Sequence, residues 1–260
     1  MNTANHMHHT IETIPWMMLS VLAVALYGAA VVLTNRKYKT WPVYRTICWV
    51  LGVISVSIAI TPPLAHKAHL NFTTHMLVHI LLGMLAPLLI ALSAPMTLVF
   101  RTIPVSTARQ LAKLLKSWPS QILTHPIVAS FLNIGGLWFL YTTNLYSLIH
   151  ESYLLHFIVH LHLFLAGYLF TIAMIYIDPI FHRHSFFYRA IVFVIALAGH
   201  DILAKVVYAH PPVGVPTEQA EAGAMLMYYG GDLIDITIAA ILCWHWFQAT
   251  RPRVIPKINH

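Results

Sequence analysis

The chain has 260 residues, 58% of them hydrophobic and only 9% charged, with a formal charge of +7. Soluble domains carry roughly 25% charged residues, so this composition excludes a soluble globular enzyme and points to one membrane-embedded helical bundle. The fifteen Lys and Arg fall between apolar stretches rather than in one patch, which is a topology signal and excludes nucleic acid as a partner.

A membrane helix needs about 20 apolar residues. Seven segments qualify: 15–34, 44–64, 72–100, 126–148, 152–178, 186–209 and 220–248. The expected architecture is all-α, a polytopic membrane bundle of seven transmembrane helices. A His-rich segment, 1–14, would precede a membrane domain, 15–248, and a basic tail, 249–260, would follow. No basic n-region or small-residue cleavage site precedes the first apolar run, so that helix is expected to be retained. Pro15 and Pro126 suit helix starts. Pro62-Pro63 marks the end of the second segment and Asp178-Pro179 the end of the fifth. The third segment is long enough to kink at Pro87 or Pro95. Residues 105–117 read either as an amphipathic surface helix or as a solvated connector.

Cytoplasmic links of membrane proteins hold the excess of Lys and Arg. Thirteen of the fifteen fall in the 35–45, 101–125 and 183–189 regions and in the tail, leaving only Lys67 and Lys205 elsewhere. The expected orientation is therefore N-terminus outside and C-terminus cytoplasmic. The two cysteines, Cys48 and Cys243, fall in cytoplasmic half-helices and read as packing residues rather than a disulfide.

The eighteen histidines follow the opposite bias, thirteen in the outer half against five inside. His75-x-x-x-His79 and His156-x-x-x-His160 each put two imidazoles on one helix face. His200 sits about 13 Å below the outer end of the sixth segment, at 1.5 Å per residue. Polar side chains at such depth are costly and face a bundle interior. Neutral imidazole is a good ligand for copper, zinc and haem iron. Met225 and Met227 are candidate soft ligands, and Asp201 and Asp232 are candidates for orienting a ligating His. Asp201 is equally suited to pairing with Lys205 one turn away. His162 is about 200° round its helix from His160 and reads as a separate contact. His66, His69, His150 and His210 read as loop or helix-end residues, with metal handling as the lesser alternative.

At His75-Met76-x-x-His79, followed by Ala86-Pro87-Leu88-Leu89 and Ala94-Pro95, the chain resembles the CtaG family of cytochrome c oxidase assembly factors. The similarity continues at His125-Pro126, Leu145-Tyr146, His156-x-x-x-His160 and Gly223 to Met227, covering residues 40 to 250. The stretch Glu218-Gln219-Ala220-Glu221-Ala222-Gly223 departs from the expected pattern. The resemblance implies a multi-pass protein of the bacterial cytoplasmic (inner) membrane, whose partners are cytochrome c oxidase subunits and the lipid bilayer. It further implies that copper, bound through the paired histidines, is supplied to the catalytic subunit, with no chemistry on a substrate. Three readings stand beside it. One is a b-type haem protein or haem-linked oxidoreductase with axial histidines. Another is a zinc-dependent membrane hydrolase, although no His-Glu-x-x-His motif is present. The third is an oxidase scaffold whose histidines are interhelical contacts.

Overall fold

The structure is a computed structural model and describes residues 2–252. The side chains of His6, His8 and His9 and residues 253–260 of the basic tail lie outside the described residues. Every regular element in the described range is helical: α1 (Asn2–Lys37), α2 (Val43–Ile60), α3 (Leu64–Leu70), α4 (Phe72–His79), α5 (Ala86–Leu92), α6 (Pro95–Thr102), α7 (Val105–Leu115), α8 (Trp118–Leu123), α9 (Pro126–Ser130), α10 (Gly136–Thr142), α11 (Leu145–Leu148), α12 (Tyr153–Met174), α13 (Phe186–Ala209) and α14 (Thr217–Thr250). Two π-helical stretches, Ile80–Leu85 and Phe131–Gly135, join α4 to α5 and α9 to α10.

Among the described residues, six helices are long and apolar enough to cross a membrane. The fourth of the seven expected spans is shorter, Pro126–Thr142. It stops early because Thr143 turns extended, while the Thr142 and Thr143 hydroxyls donate back to the Trp138 and Phe139 carbonyls at 2.6 Å. Such side-chain bonds compete with the helical ladder. The connector at 105–117 is helical over Val105–Leu115 and buries none of its residues, matching the amphipathic alternative.

The third span is the axis of the bundle. In its apolar window 61% of residues are buried, against 11% for α1. The chain is widened here rather than sharply broken. Pro87 has no N–H and its ring collides with the carbonyl four residues back, which is that of Gly83. The π-helical turn Ile80–Leu85 relieves that collision and directs the Gly83 carbonyl at α12. A Cβ on Gly167 would lie 2.0 Å from that oxygen, so only glycine permits the two backbones to approach. The span ends at Leu92, where Ala94 adopts a left-handed conformation (φ 52°) before Pro95 starts α6.

Asp178, the predicted end of the fifth segment, instead caps a neighbour. Its carboxylate accepts from the Met96 and Thr97 amides and from the Thr97 hydroxyl, at 3.1, 2.8 and 2.6 Å, meeting the first free N–H groups of α6. α1 is peripheral and held by few polar contacts. The Tyr27 hydroxyl donates to the Ser93 carbonyl at 2.8 Å, and the Trp41 indole donates to Tyr27 at 3.1 Å.

Candidate metal centre

The four-residue spacing places His75 and His79 on the buried face of α4, at 5% and 2% exposure. His156 and His160 share one face of α12, with ring centres 4.0 Å apart. The two sequence pairs are re-sorted in space. His75 faces His160 across α4 and α12, ring centres 6.0 Å apart, whereas His79 faces His200 of α13, also at 6.0 Å. Tyr141 stands between the two cross-helix pairs, 6.0 Å from the His75 ring and 6.5 Å from that of His79. Its hydroxyl shares a 3.2 Å hydrogen bond with His75 Nε2.

The two pairs differ in how their polar atoms are met. His160 Nδ1 donates to the His156 carbonyl at 2.9 Å; a carbonyl can only accept, so the proton sits on Nδ1 and Nε2 carries a bare lone pair. In the deeper pair, neither nitrogen of His79 nor of His200 has a hydrogen-bond partner among the described protein groups, and all four are buried. Each unmet buried polar group costs about 1–3 kcal/mol, so a site of this kind is expected to serve a ligand.

Both π-helical stretches line the cavity between these rings. It holds about 20 Å³ and is bounded by His79, Gly83, Asn133, Thr171, His200 and Asp235, together with apolar side chains. That is room for about one water-sized species. π-Bulges are frequent at functional sites, and here they shape the wall nearest the paired imidazoles. Gly231 of α14 gives His200 its place: a Cβ there would lie 2.6 Å from the ring's Cε1.

The remaining predicted residues fall at varying distances from this centre. Asp201 Oδ1 is 3.8 Å from His200 Nδ1, whereas Lys205 stands over the Tyr228 ring at 5.4 Å. Asp232 is half-buried; Asp235, one turn further, is 4% exposed and lines the cavity. Met227 is fully buried in the cluster that contains Phe72, Met76 and Tyr141. Met225 is 48% exposed and lines a separate groove with Lys205, Tyr208 and Tyr229. His162 contacts the Leu132 carbonyl at 3.1 Å, away from His160's neighbours, as its angular offset implies. Among the described residues, no group of three or more His, Cys, Asp or Glu side chains stands ready to hold a metal ion. The histidines come together as pairs.

Asp235 is legible from the sequence as a mid-membrane acid beside Asp232, but sequence reasoning did not single out Tyr141 or Asn133. Nothing in their spacing separates them from packing residues; only the crossing of α4, α10, α13 and α14 brings them beside the imidazoles.

Uncharacterized proteins of Mycobacterium bovis and Mycobacterium tuberculosis are each 32% identical to the chain over 166 residues, 61% of this chain and 25% of theirs. One from Mycobacterium leprae is 29% identical over 160 residues, 59% of this chain and 24% of its own. The matched region thus spans about a quarter of these curated relatives. No solved structure matches the chain. The profile of the cytochrome c oxidase caa3 assembly factor family matches residues 25–249, nearly the whole helical bundle with both histidine pairs. The chain belongs to the cytochrome c oxidase caa3 assembly factor (CtaG) family.

Proposed function

We propose that the protein binds copper as Cu(I) within the outer half of the bundle and delivers it to the catalytic subunit of a haem-copper cytochrome c oxidase. The orientation follows the basic links: α3 and α11 face outward, and the α1–α2 and α12–α13 links face the cytoplasm. The observation that carries the reading is the His79–His200 pair. Metal–nitrogen bonds of about 2 Å, with about 1.1 Å from nitrogen to ring centre, put two imidazoles on opposite sides of one ion with centres about 6 Å apart. The rings of both cross-helix pairs are separated by 6.0 Å. Cu(I) accepts two-coordinate geometry, so pairs suffice for it where zinc asks for four ligands. Met84 lines the cavity, and Met227, buried in the neighbouring cluster with Phe72, Met76 and Tyr141, is a further candidate for a soft sulfur ligand.

Volume favours an ion over haem. A cavity of about 20 Å³ fits a single ion or water and falls far short of a porphyrin. Delivery is then ligand exchange with an oxidase subunit docked at the outer half, and the chain's task is to hold neutral imidazoles ready in a dry environment.

The test is metal analysis with an absorption spectrum on protein purified without oxygen, wild type beside the His79→Ala/His200→Ala and His75→Ala/His160→Ala variants. Copper without a Soret band, lost in the first variant together with oxidase assembly in cells, is the expected result. A Soret band would replace copper by haem. Wild-type protein that takes up no copper, with assembly intact in both variants, would reduce the histidines to interhelical contacts.

A further inference from the structure

The cytoplasmic end of the bundle gathers basic side chains around Tyr176 and His184. The Arg189 guanidinium, from the first turn of α13, lies 4.0 Å from the centre of the Tyr176 ring, and that of Arg183 lies 5.9 Å from it. The Tyr176 hydroxyl accepts from the His184 amide at 2.9 Å. His125, from the link between α8 and α9, brings its ring centre to 4.7 Å from that of His184. His182 and Arg189 are further neighbours of His184. His125 is distant in sequence from the others, so their meeting is a product of the fold.

Arg189 is the informative member. It is 7% exposed, yet no carboxylate stands within ion-pair distance of it among the described residues. Of the eight Asp and Glu in the chain, only Asp178 falls at this end. Its oxygens are engaged by the Met96 and Thr97 amides and the Thr97 hydroxyl. One Arg189 N–H donates to the Met174 carbonyl, while Nε is buried with no hydrogen-bond partner. Buried charges are as a rule paired, because a desolvated charge is costly. A neutral carbonyl and the face of a tyrosine do not neutralise a guanidinium. His125 Nδ1 and His182 Nε2 are also buried without a hydrogen-bond partner, and either nitrogen of an imidazole can carry a proton to donate. Unmet donors around a buried cation with no acid are complementary to an oxyanion.

We infer that Arg189, His125 and His182 bind a phosphoryl group at the cytoplasmic face. A guanidinium matches phosphate oxygens with two parallel N–H bonds. The first turn of a membrane helix also lies near the level of the headgroups, where basic pockets between helices bind lipid phosphates. Arg189 is the anchor, the two imidazoles donate beside it, and exposed Arg183 attracts the anion from outside. None of these residues belongs to the proposed metal centre, so the site stands or falls apart from copper.

The experiment is thermal unfolding of the metal-free full chain in detergent, titrated with inorganic phosphate against chloride at matched ionic strength. It is repeated in phosphatidylcholine vesicles with and without phosphatidic acid. Arg189→Gln and His125→Leu/His182→Leu are compared with wild type and with Arg109→Gln, which removes one charge from an exposed position on α7 outside the cluster. A ligand of the folded state raises the unfolding temperature. The expected result is a rise that needs about tenfold more ligand in both cluster variants and is unchanged in Arg109→Gln. A response to inorganic phosphate makes free phosphate the ligand; a response to phosphatidic acid alone makes it a lipid headgroup. No rise with either probe, or a rise that both cluster variants share with wild type, would overturn the site. An equal loss in Arg109→Gln would also overturn it, as the response of a diffuse basic surface. If Arg189→Gln does not fold, the histidine variant decides by the same readings.

Discussion

His79 of α4 and His200 of α13 stand with ring centres 6.0 Å apart, and all four of their ring nitrogens are buried without a hydrogen-bond partner among the described residues. A structural pair would be expected to satisfy at least one nitrogen per ring. Replacing both by apolar residues of similar size removes the unmet groups and is expected to be neutral or stabilising. His79→Leu/His200→Leu should therefore raise the stability of the metal-free protein by about 1–3 kcal/mol while abolishing stabilisation by added Cu(I). Thermal unfolding with and without the ion measures both effects. A large loss in the metal-free protein would mean that the imidazoles hold the helices together.

The seat of His200 depends on Gly231. A methyl at that position would lie 2.6 Å from Cε1 of the ring and must displace it. Gly231→Ala is expected to weaken Cu(I) binding by about 10–100-fold, the range for altering the support of a metal ligand. Competition against a Cu(I) chelator reads this directly. Unchanged affinity would place the bound ion elsewhere than between His79 and His200.

The two methionines of α14 should separate. Met225 is 48% exposed in its own groove, whereas Met227 is 0% exposed beside Phe72 and Met76. Met225→Leu is expected to leave copper affinity and stability unchanged. Met227→Leu conserves volume and should cost less than about 1.5 kcal/mol of stability, so any larger change in Cu(I) affinity reports a lost sulfur ligand. Equal behaviour of the two variants in copper binding would remove Met227 from the site.

At the basic end, His184 lies beside His125, His182 and Arg189, with the Tyr188 ring 5.2 Å away. Burial, reinforced by the positive charge of these neighbours, holds its pKa below the ordinary value. The unfolded chain, with histidines near 6.5, then binds more protons than the folded one. Stability is fully present above that value and falls as the pH drops through it towards the depressed folded value. His69 shifts in the same direction, through burial and through His150 and His66. The unfolding temperature of metal-free protein should decrease between about pH 7.5 and 5.5, and His184→Gln should flatten that decrease. A pH-independent midpoint would contradict the assignment.

Hydropathy and proline placement were enough to outline the bundle, because a lipid-facing helix must satisfy its backbone internally and so announces itself by length. The length of the apolar helical stretch Pro126–Thr142 was overestimated because apolar residues continue past Thr143, where the backbone turns away. The four-residue histidine spacings were also legible, since helical periodicity alone puts such residues on one face. Their partners were not. Whether His79 meets His160 or His200 depends on where α4, α12 and α13 cross, on the π-helical turn that Pro87 forces beside Gly83, and on the close approach that Gly167 permits. Spacing along one helix determines which side chains share a face; the packing of helices, set by contacts distant in sequence, decides what each face meets.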